Sequence, residues 1–310
     1  MSLSLSPVGG WRLALTNLLL RLTVRRGFKP SLTPEQLRQR VQRLDRTREW
    51  RPPSGLDHRT STLNGLHCEW FEPDGLTETS PVILYFPGGG FVLQAMRSQR
   101  KMLADLCLQT GCRGLLVQYR VAAEHMLPTA QLDGLAAYRA LLEQPDTDPQ
   151  RLFILGDSAG GNVALSTLQQ ARDAGLPQPA GAILLSPATD MTVSGDGMIK
   201  NLKRDPFFEV DFMLWMRNTS LPAQEPTHNP VISPAWGSFS GLPPLLVEVG
   251  STEILIDGSL LVAERGALEG VEVSLTIEPR APHVYPVMTW LPQAKAARKR
   301  IQHFIEQRMA

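Results

Sequence analysis

Between residues 81 and 278 the chain repeatedly places a short, largely apolar run before or after an amphipathic stretch. PVILYF (81–86), GLLVQY (114–119), RLFILGD (151–157), AILLSP (182–187) and PLLVEVG (244–250) are each too short for a helix and show no polar alternation. A strand of that kind must be covered on both faces. The intervening stretches 97–110, 129–143 and 257–269 carry helical periodicity, and GNVALSTLQQARDAG reads as a helix stopped at Gly175. VEVSLTIEP adds a last strand, residues 286–308 a last helix, and STLNGLHCEWFEP an edge strand at the start. The alternation predicts an α/β fold, a mostly parallel central sheet flanked by helices.

Two segments break the rhythm. Residues 1–50 read as helices only, one of them opening with the capping pattern Thr33-Pro34-Glu35-Gln36. Residues 191–222 interrupt the strand–helix order with a polar loop and then DPFFEVDFMLWM, where Asp205 suits an N-cap before Pro206. Both segments are apolar enough to need burial, and neither belongs to the sheet. The expected layout is therefore N-terminal cap helices at 1–50, a first core part at 51–190, a cap insertion at 191–222 and a second core part at 223–310. Ligands of open α/β sheets sit beyond the carboxyl ends of the strands, so such a cap would roof a site.

The charge is balanced, 31 basic against 30 acidic residues, which does not favour nucleic acid as a partner. The basic run KAARKR at 295–300 suits the end of the last helix. Cys68, Cys107 and Cys112 lack metal-ligand spacing and read as reduced thiols of a cytoplasmic protein. The opening MSLSLSPVGGWRLALTNLLLRLTVRR is interrupted by Arg12 and Arg21, which predicts an amphipathic helix in need of a partner surface. No stretch reaches the ~20 apolar residues of a membrane span.

The sharpest local signal is LGDSAGGN at 155–162, which follows an apolar strand and opens a helix. That is the setting of a G-x-S-x-G nucleophile elbow, with Ser158 on the turn and the Ala159 N–H aimed at a forming oxyanion. A serine nucleophile needs a base oriented by an acid, in the chain order Ser, acid, His. His58, His67 and His125 precede the serine, His228 precedes the strand that could present the acid, and His303 lies late in the last helix. His283, in EPRAPHVYP, sits just after the last strand between stiffening prolines. For the acid, VEVGSTEILID offers Glu253 at the strand end and Asp257 one helical turn later; position favours Glu253, and Glu248 lies inside the strand.

YFPGGGF at 85–91 then acquires a purpose. The glycines let substrate approach bare backbone and are expected to present the N–H groups of Gly88 and Gly89 as further oxyanion donors. A phosphate loop is excluded, because no Lys-Ser/Thr pair follows.

In these motifs the chain resembles the hormone-sensitive lipase family of α/β-hydrolases, in its bacterial-esterase branch. GGGF at 88–91, YRVAAEHMLPTAQLD at 119–133, GDSAGGN, SGLPPLLVEVGSTEILID and PHVY occur in the family's order, from about residue 60 to 290. The resemblance implies Ser158 as nucleophile, His283 as base, Glu253 as acid, and Gly88, Gly89 and Ala159 as the oxyanion hole. It also implies an α/β-hydrolase fold with a helical cap, no metal or organic cofactor, and a homodimer through the last strand and helix. Two positions depart from the pattern: Pro87 replaces the histidine of HGGG, and Ala123 replaces the proline of the A-P-E step. Proline fixes φ but supplies no hydrogen bond, so a formed but differently supported loop is expected.

The expected function is a serine carboxylesterase for short- to medium-chain acyl esters. Phe207, Phe208, Trp215 and Met216 are the expected pocket residues of the cap. One alternative is a non-catalytic binding protein, as in the similar plant gibberellin receptors, which lack the histidine. Another is an amidase or lactonase with the same triad.

Overall fold

Every residue of β4 (Val82–Phe86), β6 (Leu152–Asp157) and β8 (Leu245–Gly250) is buried. Apart from Asp157 and Glu248 they carry no charged side chain, and so apolar a composition demands cover on both faces. The computed structural model, which describes residues 2–5, 10–45 and 50–309, provides it. In chain order the remaining elements begin with β1 (Ser2–Leu5), α1 (Trp11–Leu20), α2 (Pro34–Asp45), β2 (Leu56–Leu63) and β3 (Leu66–Pro73). After β4 come α3 (Arg97–Thr110), β5 (Arg113–Gln118) and α4 (Thr129–Leu142). After β6 come α5 (Ala159–Asp173), β7 (Gly181–Leu185), α6 (Gly197–Lys200) and α7 (Val210–Ser220). After β8 follow α8 (Ile256–Leu268), β9 (Val273–Glu278) and α9 (Pro292–Met309).

The strands form one sheet in the order β1-β9-β8-β7-β6-β4-β5-β3-β2. All neighbours are parallel except β3 against β5 and β2 against β3. Alternation along β4 feeds two cores. Leu84 and Phe86 join Val163 of α5 on one face, while Ile83 and Tyr85 join Leu103 of α3 and Ile301 of α9 on the other. Each such fully buried side chain contributes about 1.5–3 kcal/mol. A third cluster lies apart from both and combines Leu37 of α2 with Phe208, Phe212, Met213 and Met216. The helix α2 is capped as its sequence predicts: Gln36 N–H donates to Thr33 Oγ1 at 3.2 Å and Thr33 N–H to Gln36 Oε1 at 2.9 Å.

Four expectations need correction. Residues 1–50 are not helices only, because Ser2–Leu5 pairs in parallel with the outer edge of β9. The single edge strand predicted over STLNGLHCEWFEP is a hairpin, reversed at Asn64 and Gly65, both at positive φ. Asn-Gly suits that backbone better than any other common pair. The helix expected over 205–216 begins only at Val210, and the last helix begins at Pro292 after a separate turn over Tyr285–Val287. Asp205 caps only the turn that follows it, accepting from the Phe207 and Phe208 N–H groups, and the last helix opens on Pro292, a first-turn position that proline suits. The three cysteines are free and buried, and among the described residues no helix is long and apolar enough to cross a membrane.

Candidate active site

The carboxyl ends of β4, β6, β8 and β9 converge, and each delivers one part of the site. β6 ends at Asp157, and α5 starts at Ala159, leaving Ser158 alone to reverse the chain. Its φ of 52° and ψ of −119° place it outside the ordinary basins, a strain of about 1–3 kcal/mol. The turn closes only because Gly156 and Gly160 lack side chains: a Cβ on Gly160 would meet the Phe86 carbonyl oxygen at 1.9 Å.

His283 Nε2 lies 2.9 Å from Ser158 Oγ, and His283 Nδ1 lies 2.7 Å from Glu253 Oε2. A buried carboxylate accepts, so Nδ1 carries the proton and Nε2 is left to receive one from serine. Glu253 and His283 are buried, and Ser158 is half-buried. The second oxygen of Glu253 accepts from Ser186 Oγ at 2.7 Å and from the Gly250 N–H at 2.5 Å. Ser186 Oγ in turn accepts from the Val284 N–H at 3.0 Å, tying the acid to the histidine loop. Ser186 was missed in the sequence; its own positive φ is invisible there.

Asp257 lies elsewhere. Its Oδ2 accepts the Gly197 N–H at 2.6 Å, so it anchors the start of α6 rather than the imidazole. Glu248 is buried in β8 and bound by Arg300 and Tyr285.

The glycine loop corrects one expectation. The Gly88 N–H donates to Asp157 Oδ1 at 2.8 Å and is not free to receive an oxyanion. The N–H groups of Gly89, Gly90 and Ala159 have no acceptor among the described residues. Pro87 leaves the loop without a histidine, but three other groups hold it. Tyr119 Oη donates to the Pro87 carbonyl at 2.6 Å, Gln99 Nε2 donates to the Gly88 carbonyl at 3.1 Å, and Asp157 takes the Gly88 N–H. Gln99 also donates to both Asp157 oxygens, and Tyr85 Oη to one of them at 2.5 Å. Burial pushes the Asp157 carboxyl up from its ordinary value, although these donors pull the other way.

The aromatic and methionine side chains of residues 207–216 stand over this arrangement. The rings of Phe207 and Phe208 lie 5.8 and 5.0 Å from the His283 ring, and the Met216 methyl group fills the space a Cβ on Gly90 would take. Trp215 stacks on Phe212 at 5.3 Å and makes no ring contact with His283. Asp205 ties this segment down by accepting from the N–H groups of Phe207, Phe208 and Ile254; burial raises its carboxyl. Among the described residues no three His, Cys, Asp or Glu side chains converge as a metal site requires.

A strand-end serine, a buried acid–imidazole pair and glycine-loop N–H groups without an acceptor among the described residues are the arrangement of an α/β-hydrolase. Residues 83–287 match the family described as alpha/beta hydrolase fold, and the chain belongs to that family. Within it the chain groups with the bacterial hormone-sensitive lipase branch. A crystal structure of an esterase from the bacterial hormone-sensitive lipase family superposes with a TM-score of 0.88 at 30% identity, covering 98% of this chain and 100% of that one. A crystal of EstE5 soaked with p-nitrophenyl butyrate gives 0.88 at 33% identity, covering 97% and 100%. An esterase of Acinetobacter venetianus is 30% identical over 295 residues, 95% of this chain and 96% of its own. An acetyl-hydrolase of Streptomyces hygroscopicus is 36% identical over 224 residues, 71% and 73% respectively.

Proposed function

We propose that the chain is a serine carboxylesterase acting on short- to medium-chain acyl esters. The observation that carries this reading is the hydrogen-bonded series Ser158–His283–Glu253, together with the Gly89, Gly90 and Ala159 N–H groups that have no acceptor among the described residues. Ser158 Oγ attacks the ester carbonyl carbon while its proton passes to His283 Nε2. Glu253 holds the imidazole in the required tautomer and stabilises its charged form. The tetrahedral oxyanion rests on the N–H groups of Gly89, Gly90 and Ala159, one residue further along the loop than the sequence suggested. His283 then gives its proton to the departing alkoxide, and a water activated by the same nitrogen releases the acid from Ser158.

Residues of the 1–50 and 191–222 segments act in this reading as the cap, with Phe207, Phe208 and Met216 bounding the acyl pocket. Pro87 is the one feature favouring a non-catalytic binder, and the anchors from Tyr119, Gln99 and Asp157 supply what a histidine would. The Acinetobacter venetianus relative, an esterase, supports ester substrates.

The test is fluorophosphonate labelling of the purified chain beside hydrolysis of nitrophenyl esters graded in acyl length. An adduct on Ser158, turnover highest on short chains and loss of both in Ser158→Ala are expected. Turnover unchanged in Ser158→Ala would refute the mechanism.

A further inference from the structure

Helix α1 and the helical turn Arg21–Arg25 that continues it have two unlike faces. Leu13 and Thr16 are buried, and Leu13 packs with Met288, Leu291 and Ala294, with Phe207 at the margin of the cluster. Trp11, Leu15, Leu18, Leu19 and Leu22 point away from the protein, with 72%, 46%, 52%, 51% and 46% of their surface exposed. At 3.6 residues per turn these five fall within one stripe about 100° wide, opposite Leu13. A single exposed leucine is ordinary, but a contiguous stripe marks an interaction surface. The buried face answers only half of the sequence's demand for a partner.

The charge around the stripe identifies the other half. Residues 1–34 contain no aspartate or glutamate, while Arg12, Arg21, Arg25, Arg26 and Lys29 supply five cations. Glu209 pairs with Arg25 and Lys29 at 3.5 and 3.1 Å. Arg12, Arg21 and Arg26 have no carboxylate partner among the described residues. By helical spacing Arg12 borders the stripe on one side and Arg21 on the other. The Arg21 guanidinium donates to the carbonyls of Lys203 and Arg204 at 3.1 and 2.7 Å, which brings two more cations alongside. Trp290, 59% exposed, reaches the same helix through Nε1 to Thr16 Oγ1 at 3.3 Å.

We propose that this face docks on an anionic lipid bilayer, with α1 lying in the interfacial plane. Its leucines would enter the acyl boundary, its arginines would meet lipid phosphates, and Trp11 and Trp290 would sit at headgroup depth. Apolar stripe, cationic borders and flanking tryptophans are what an in-plane interfacial helix needs. Arg12, Arg21 and Arg26, which no carboxylate among the described residues pairs, suit an anionic surface. Docking does not depend on the hydrolytic reading. If that reading holds, the helix that packs against Phe207, a ring neighbour of His283, would face the lipid, and ester substrates would reach Ser158 from the bilayer side.

The test is co-sedimentation of the full chain with vesicles of phosphatidylcholine alone or with about 30% phosphatidylglycerol. Partitioning on the anionic vesicles at least about tenfold above the neutral ones, and lost at about 0.5 M salt, is expected. The variant Leu15→Glu/Leu18→Glu should lose about tenfold in partitioning while keeping wild-type circular dichroism and melting temperature. Ser158→Ala should bind as wild type does, so a failed esterase assay leaves this result standing. Equal binding to both vesicles, or undiminished binding by the double variant, would overturn the proposal. So would a wild-type dimer that the double variant converts to monomer without lipid, since a second copy would then cover the stripe.

Discussion

Gly88 donates its backbone N–H to Asp157 Oδ1 at 2.8 Å, and this bond fixes which part of the glycine loop is left to face Ser158. Asp157 in turn is oriented by Gln99, which also holds the Gly88 carbonyl. Replacing Gln99 by leucine keeps the volume and removes every one of these donors. Donors displaced by even an ångström lose most of their effect on a forming oxyanion. Gln99→Leu should therefore lower kcat on nitrophenyl acetate by about 10–100-fold with little change in KM. A rise in KM at constant kcat would show that Gln99 shapes ground-state binding instead.

The contact between Gly90 and Met216 gives a second, independent handle on the loop. Gly90 has φ of 60°, and a Cβ there would lie 1.3 Å from the Met216 methyl carbon. Gly90→Ala thus suffers both backbone strain of about 1–2 kcal/mol and a clash with a flexible side-chain end. Activity should fall by about 10²-fold or more, given that one oxyanion donor alone is worth that much. Adding Met216→Ala removes the clash but not the strain, so the double variant should recover part of the loss. Kinetics of the two single variants and the double variant measure the coupling, and strict additivity would mean that Met216 does not touch the loop in solution.

The glycine loop also marks where sequence reasoning reached its limit. The strands were legible because burial on both faces leaves no room for polar alternation, and 81–86, 114–119 and 151–157 lie within a residue of β4, β5 and β6. A strand end, a loop and a chain order sufficed to single out Ser158 and His283, which the fold brings within 2.9 Å of each other. Gly88 and Gly90 were not separable, because the choice depends on a carboxylate 69 positions away that claims one N–H and spares another. Asp257 and Glu253 differ similarly: only the packing of α6 reveals that the aspartate is already engaged. Long-range polar pairings of this kind leave no periodic trace. The pairing of Ser2–Leu5 with β9 is illegible for the same reason, since a short strand at a sheet edge needs no distinctive pattern.

Phe207 and Phe208 flank the His283 ring, and the first of them is only partly buried. Truncating Phe207 opens space beside the imidazole without removing a group that bonds the reacting atoms. Phe207→Ala should raise kcat/KM on octanoyl relative to acetyl esters by about 5–10-fold, since each methylene newly accommodated is worth ~1 kcal/mol or more. The nitrophenyl ester series measures this ratio directly. An unchanged chain-length profile would place the acyl pocket on another side of Ser158.

Far from the site, Glu69 makes the pH dependence of stability predictable. It is buried on β3, accepts from Arg100 at 2.6 and 2.7 Å and from Gln118 at 2.8 Å, and lies 3.0 Å from His58 Nε2. Burial alone would raise its carboxyl, but the Arg100 bonds and charge, with the Gln118 and His58 bonds, win and hold it down from 4.5 to about 2. A folded-state pKa below the unfolded one means the group favours folding wherever the carboxylate is charged in both states. That contribution is complete above about pH 4.5 and is lost as the pH falls toward 2. Glu69→Gln, which leaves Arg100 without its partner, should cost about 3 kcal/mol in urea unfolding at neutral pH. The difference from wild type should narrow steadily below about pH 4.5, because protonation of Glu69 removes the same ion pair. A difference that stays constant down to about pH 3 would assign the loss to packing rather than to charge.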